Sequence, residues 1–250
     1  MRLLLVNDDG FDSPLLAGLC HAAAARGHRV TVCAPSVQQS AKAHSFTVTK
    51  PLMVHRRQME GAEEAWAVDG TPVDCTRLGL MALCQEPVDM VLSGVNNGYN
   101  AGLTTYASGT VGAAREAAFQ GKKAMALSMQ KKTPMETYRF FADWAIALAE
   151  HLAEYDAPPL SVCNVNLPPV PMHALQPPRM CPISLRMWQD EYERRQNPYG
   201  EDYFWLSAWF EEFATPGSDI EWLSKGHITC TFLTPEPCDQ AQFADFLEGL

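Results

Sequence analysis

Two adjacent carboxylates, Asp8 and Asp9, end the first apolar run of this chain, in the stretch VNDDG at residues 6–10. Like charges side by side repel, and folding alone gains nothing from the arrangement. A hard divalent cation resolves the conflict, because such ions bind carboxylate, amide carbonyl and hydroxyl oxygens. The plainer reading is an acidic turn in which Asp9 caps the next helix. Neutral oxygen donors crowd two further stretches, APSVQQSAKAHS at 34–45 and SGVNNGYNAGLTTYASGT at 93–110. In the second, Ser108, Gly109 and Thr110 stand where the chain enters a helical pattern. Free backbone N–H groups and two hydroxyls there suit an anion such as phosphate. Taken singly, Ser108 or Thr110 is a helix cap and each Asn-Gly pair is a turn former. Together they point to a phosphate beside a metal.

The elements that must hold these residues follow a βα rhythm. LLLV (3–6) is a short strand. A helix follows, with Ser13 as N-cap, Pro14 at its first position and Gly27 as its stop. RVTVCAP (29–35) is a second strand, so the chain opens β-α-β, the start of a parallel sheet. A helix over 71–84, a strand over 88–94, a helix over 110–121, a strand over 123–129, a long helix over 135–155 and a strand over 160–169 continue it. FTVTKPLMVHR and EAWAVDG read as shorter strands inserted after the second. In such sheets ligands gather outside the carboxyl ends of the strands, so all three oxygen-rich loops face one rim. Beyond residue 170 prolines cluster, and WQDEYERRQNPYGEDYFWLSAWFEEF then reads as a β-hairpin extension, with Trp205 and Trp209 packed in a core. HITCTFL is a last strand, followed by a short helix after Pro237. The fold class is therefore α/β: a Rossmann-like, mostly parallel core over 1–170 and a smaller C-terminal part, 171–250, that carries the hairpin and returns to the core.

The bulk properties narrow the function. The 250 residues carry 19 Lys+Arg against 29 Asp+Glu, a net charge of −10. That excludes broad electrostatic binding to nucleic acid polymers or anionic membranes, and it leaves an anionic substrate in need of local help. No stretch approaches the ~20 apolar residues of a membrane span, and the N-terminus lacks the features of a secretory leader. The eight cysteines form no C-x-x-C pair and read as reduced core thiols of a cytoplasmic protein. The seven histidines show neither H-x-x-x-H nor H-E-x-x-H spacing, which argues against zinc. A haloacid-dehalogenase-type phosphatase needs D-x-D rather than NDDG, and a dinucleotide oxidoreductase needs a G-x-G-x-x-G that is absent.

In order and approximate spacing, VNDDG, AP…QS, DGTPVDCTRLGL, DMVLSGVNNGYN, SGTVGAAREAAFQG, CNVNLPP, RRQNPYGEDYFWL and GSDIEWLSKGHITCTFLTP resemble the SurE family of metal-dependent nucleotidases. The resemblance implies hydrolysis of nucleoside 5′- and 3′-monophosphates, and of short polyphosphate. It implies one divalent cation per subunit, Mg²⁺ or Mn²⁺, on Asp8, Asp9, Ser40 and Asn96. It implies a phosphate loop at Ser108, Gly109 and Thr110, with Asn100 as an additional contact. It also implies a homodimer or homotetramer whose hairpin is exchanged between subunits. Asp8 or Asp9 would orient or deprotonate the attacking water, and a covalent aspartyl-phosphate is an open alternative. The chain departs from the family at Ala41, Lys42, Ala43 and His44, where glycine usually follows the serine, and at Glu201, where arginine usually follows Gly200. These changes bear on substrate preference and subunit contacts. The rival outside enzymology is a non-catalytic nucleotide- or phosphate-sensing module with the same rim.

Overall fold

The structure, a computed structural model, describes residues 1–185, 189–209 and 214–235. In chain order the strands are β1 (Arg2–Val6), β2 (Arg29–Pro35), β3 (Val54–Arg57), β4 (Glu64–Val68), β5 (Met90–Asn97), β6 (Lys123–Met129), β7 (Val162–Leu167), β8 (Gln176–Met180), β9 (Gln189–Gln196), β10 (Asp202–Trp209) and β11 (His227–Leu233). The helices are α1 (Pro14–Ala25), α2 (Pro72–Leu78), α3 (Gly109–Phe119), α4 (Met135–Glu154) and α5 (Asp219–Ser224).

Nine strands form one sheet in the order β3-β4-β2-β1-β5-β6-β7-β11-β8. β1 pairs in parallel with β2 on one side and β5 on the other. The connections therefore reverse direction at β1, where a crevice opens at the strand ends. β3 on β4 and β11 on β7 are the antiparallel pairs. Residues beyond 170 enter this same sheet as β8 and β11, while β9 and β10 pair apart from it as a two-stranded ribbon.

The period-two alternation of a strand divides the core into two layers. Leu3 and Leu5 face α1 and α4, packing with Leu16, Leu19, Phe141 and Ile146. Leu4 and Val6 face the opposite side and pack with Cys75, Val111, Ala114 and Ala117. That second layer is built from small residues, so α3 lies close to the sheet. Its N-terminus consequently comes close to the end of β1.

Several expected elements shift in detail. The helix expected over 71–84 is α2 followed by a wider π-type turn at Gly79–Leu83. Its Thr-Pro start forms a full capping box, with the Thr71 hydroxyl accepting from Asp74 N and the Asp74 carboxylate accepting from Thr71 N. Ser13 stands at the cap of α1, but its side chain makes no cap bond, and Pro14 supplies the start instead. Of FTVTKPLMVHR, only the last residues become strand, as β3. The expected core packing of Trp205 is not found: it is 60% exposed, because no sheet lies behind the ribbon among the described residues. The Trp209 side chain and the helix expected after Pro237 lie outside the described residues. Glu201 has a local role, closing the hairpin turn on Asn197 through side-chain and backbone bonds. All seven cysteines among the described residues are free thiols. Among those residues, no helix is long and apolar enough to cross a membrane.

Candidate active site at the sheet rim

The end of β1 turns through a closed polar loop. Asn7 Nδ2 donates to Gly10 O and Gly10 N donates back to Asn7 Oδ1, at 2.9 and 3.2 Å. Gly10 sits at φ +99°, a conformation that side chains oppose, and a Cβ there would press the backbone of Val37 at 3.3 Å. This turn displays Asp8 inward and Asp9 outward.

Asp8 is 6% exposed, and its Oδ1 accepts from the Thr110 hydroxyl at 2.6 Å. A Cβ on Gly109 would lie 3.3 Å from Asp8 Oδ2, so the first turn of α3 abuts the carboxylate. Burial raises the Asp8 pKa to about 6; the Thr110 bond opposes the rise and the charge of Asp9 adds to it. Asp9 is half-buried, with Oδ2 accepting from Asn97 N at 2.9 Å and Oδ1 from Gln38 Nε2 at 3.3 Å.

The other two loops reach the same point through the backbone. Gln39 N donates to Asp8 O at 2.7 Å, which draws the segment after β2, including Ser40, onto the end of β1. The bond from Asn97 to Asp9 does the same for β5, which carries Asn96. Asn96 spends its nitrogen on Gly98 O at 2.8 Å, leaving its oxygen as an acceptor. Ser40 is exposed, and its hydroxyl has no partner among the described residues.

This donor set suits an oxygen-seeking dication. It offers a desolvated carboxylate, a second carboxylate, an amide oxygen and a hydroxyl, without imidazole or thiolate. Among the described residues no group of three or more His, Cys, Asp and Glu gathers as a metal site, so neutral oxygens have to complete any shell.

The loop expected to take phosphate, residues 108–110, is arranged more tightly than its sequence suggests. Ser108 caps α3, its hydroxyl accepting from Val111 N at 3.1 Å. The Thr110 hydroxyl is committed to Asp8, so the backbone N–H groups of Gly109 and Thr110 are what remain for an anion. Asn100 is buried beneath the loop. Its Nδ2 donates to Ser128 Oγ, its N donates to Asn166 Oδ1, and its carbonyl accepts from both Asn164 and Asn166. Those two asparagines, from the NVN of β7, are positioning residues that sequence reading missed.

A second set also escaped it. Gly112 has Ala43 against it so closely that a Cβ would fall 2.1 Å from Ala43 O. Ala43 N donates to Ala107 O, and His44 Nε2 is hydrogen-bonded to Glu116 Oε2 at 2.9 Å. Arg77 pairs with the other oxygen of Glu116 at 2.7 Å. Burial pushes Glu116 up, but bonds from His44 and Gln120, together with the Arg77 charge, leave its pKa below the usual carboxylate range. The departures at 41–44 thus clamp the Ser40 loop onto α3. Ala41 and Ala43 adopt φ of 56° and 50° to do so.

Strand ends bearing an acidic doublet, opposed by an open helix start at the point where strand order reverses, define a Rossmann-like α/β protein with an oxygen-rich rim. Residues 3–190 match the family model described as Survival protein SurE. A protein named 5′-nucleotidase SurE, from Nitratidesulfovibrio vulgaris strain DP4, is 40% identical over 232 residues, covering 92% of each chain. Its namesake from Solidesulfovibrio magneticus is 39% identical, covering 100% of this chain and 98% of its own. The crystal structure of SurE protein from Aquifex aeolicus superposes with a TM-score of 0.82 at 28% identity, covering 99% of this chain and 98% of that one. The chain belongs to the SurE family.

Proposed function

We propose that this chain is a metal-dependent phosphomonoesterase that hydrolyses nucleoside 5′- and 3′-monophosphates, and short polyphosphate, to release phosphate. The observation that carries the proposal is the 2.6 Å bond between Thr110 and Asp8. It sets a helix start, which attracts phosphate, directly against a buried carboxylate, which repels it. A dication held by that carboxylate would reconcile them. Asp8, Asp9, Ser40 and Asn96 would hold Mg²⁺ or Mn²⁺, which would neutralise phosphate charge and strengthen water as a nucleophile.

The chain's own groups do the rest. Backbone N–H groups of Gly109 and Thr110 hold the phosphate oxygens, with the positive end of α3 behind them. Ser108 fixes that turn, and Asn100 braces the loop that leads into it. Thr110 keeps Asp8 in one rotamer. Asp8 or Asp9 takes the proton of the attacking water, and the ester oxygen leaves with the nucleoside. The names of the curated relatives support nucleotidase action over a passive sensing role.

The region over 171–250 serves assembly in this reading. Tyr192, Phe204, Trp205 and Leu206 on the ribbon are each more than half exposed, which supports a homodimer or homotetramer formed through it. A cytoplasmic location accords with the free, mostly buried cysteines. The test is phosphate release from AMP and GMP with added Mn²⁺ or Mg²⁺, against the same assay in excess EDTA. Metal-dependent release is expected, and full turnover in EDTA overturns the proposal.

A further inference from the structure

The start of α1 opens into a cleft beside the acidic doublet with its hydrogen-bonding groups unused. Gly10 O accepts from Asn7 Nδ2 at 2.9 Å and from Ser13 N at 3.1 Å. The turn that displays Asp8 and Asp9 therefore also holds the helix start in place. Ser13 is nine-tenths buried, yet its hydroxyl makes no cap bond and has no partner among the described residues. Pro14 has no N–H, and the N–H groups of Leu15 and Leu16 have no acceptor among those residues either. The cleft lined by Ser13, Pro14 and Leu15 measures about 410 Å³, within the range of roughly 300–1,000 Å³ for small-molecule sites.

The other walls set what can enter. Asp9 lines the same cleft, which makes it continuous with the proposed metal and phosphate site. Val37, 66% exposed, and the exposed ring of Pro14 offer apolar surface to a flat group. Gln38 donates its nitrogen to Asp9 Oδ1, which leaves its oxygen as an acceptor. Asp12 is paired with Arg57 at 3.0 Å, whereas Asp9 has no cationic partner among the described residues. The lining therefore disfavours a second phosphate and suits a neutral ring with a hydrogen-bonding edge.

From this, and resting on the phosphomonoesterase reading above, we infer that the cleft receives the base of the departing nucleoside, and that Ser13 with the open start of α1 selects 6-oxopurines. Two backbone N–H groups and a hydroxyl are donors for a carbonyl oxygen, and Gln38 Oε1 is an acceptor for the ring N–H beside it. Adenine carries an amino group and an unprotonated ring nitrogen at those positions. Backbone donor then meets donor, and acceptor meets acceptor. Polar groups covered by a ligand that cannot answer them lose their water without replacement, which sets the direction of the preference.

The experiment measures kcat/KM with Mn²⁺ for IMP, AMP and ribose 5-phosphate, which carries no base, in the wild type, Ser13→Ala and Ser13→Thr. The wild type should prefer IMP over AMP by about tenfold. Ser13→Ala should lower IMP about fivefold relative to ribose 5-phosphate and bring it close to AMP, while Ser13→Thr keeps the preference. An IMP to AMP ratio near one in the wild type overturns the inference and leaves the nucleotidase reading intact. So does a preference that survives Ser13→Ala, or an equal loss for IMP and ribose 5-phosphate. Should none of the three yield phosphate, that reading falls instead. Calorimetric titration of IMP and AMP into the wild type and Ser13→Ala then still decides. A tighter IMP complex that weakens in the variant supports the subsite, and equal affinities overturn it.

Discussion

The rim around Asp8 and the ribbon of β9 and β10 are opposite ways of using side chains. At the rim, small residues bring backbones together, and each polar group answers another: Thr110 to Asp8, Asn97 to Asp9, Asn166 to Asn100. On the ribbon, large aromatic side chains face outward, Trp205 at 60% and Tyr192 at 65% exposure, with one partner strand each. Among the described residues, these rim groups find their partners within the chain, whereas the ribbon's aromatic face is left uncovered. The difference teaches that stability and activity should respond separately when each region is damaged.

The largest effect is expected at Asp8. Asp8→Asn should lower phosphate release about a thousandfold, yet leave the metal-free protein at least as stable, since a buried charge disappears. Phosphate assays beside thermal melts check both halves. Gly112→Val should break the rim mechanically, driving a side chain into Ala43 O and costing about 3 kcal/mol in urea unfolding, with activity falling in step.

A smaller effect comes from pH. The folded Asp8 pKa of about 6 exceeds the ordinary carboxylate value of 3.8, so the folded metal-free protein binds more protons than the unfolded chain. The stabilisation this gives is complete below pH 3.8 and lost as pH rises through about 6. Its size is about 3 kcal/mol. Urea unfolding across that window should show the loss in EDTA, and Mn²⁺ should reverse it by favouring the carboxylate. A flat profile in EDTA would sink this account of Asp8.

On the ribbon, Trp205→Glu should change chain stability by less than about 0.5 kcal/mol. Light scattering should nevertheless show a shift toward monomer. The smallest effect is expected at Ala41, whose φ of 56° suits glycine. Ala41→Gly should stabilise by a few tenths to about 1 kcal/mol in denaturant titration.

Much of the fold was legible because sheet strands buried on both faces must be apolar runs, as LLLV and RVTVCAP are. The rim followed because such runs end in polar loops on one side of a parallel sheet. What stayed hidden is contact between residues far apart in sequence. Nothing local in VNDDG announces that Thr110 bonds to Asp8, or that the apparent phosphate hydroxyl is spent on that bond. The clamp of His44 on Glu116 was equally invisible, since 72 residues separate them. Trp205 was misplaced for a related reason: apolarity says that a side chain wants cover, but not whether its own chain supplies it.

The buried carboxylate of Asp219 joins these two regions. It accepts from Gly102 N at 2.7 Å and Ser184 N at 2.8 Å, and so fastens the segment before the ribbon to the loop that ends at the α3 cap. Burial raises its pKa above the ordinary carboxylate value, against the pull of those backbone donors. Tension applied to the ribbon therefore has a short mechanical route to the start of α3. One carboxylate pins both ends of that route.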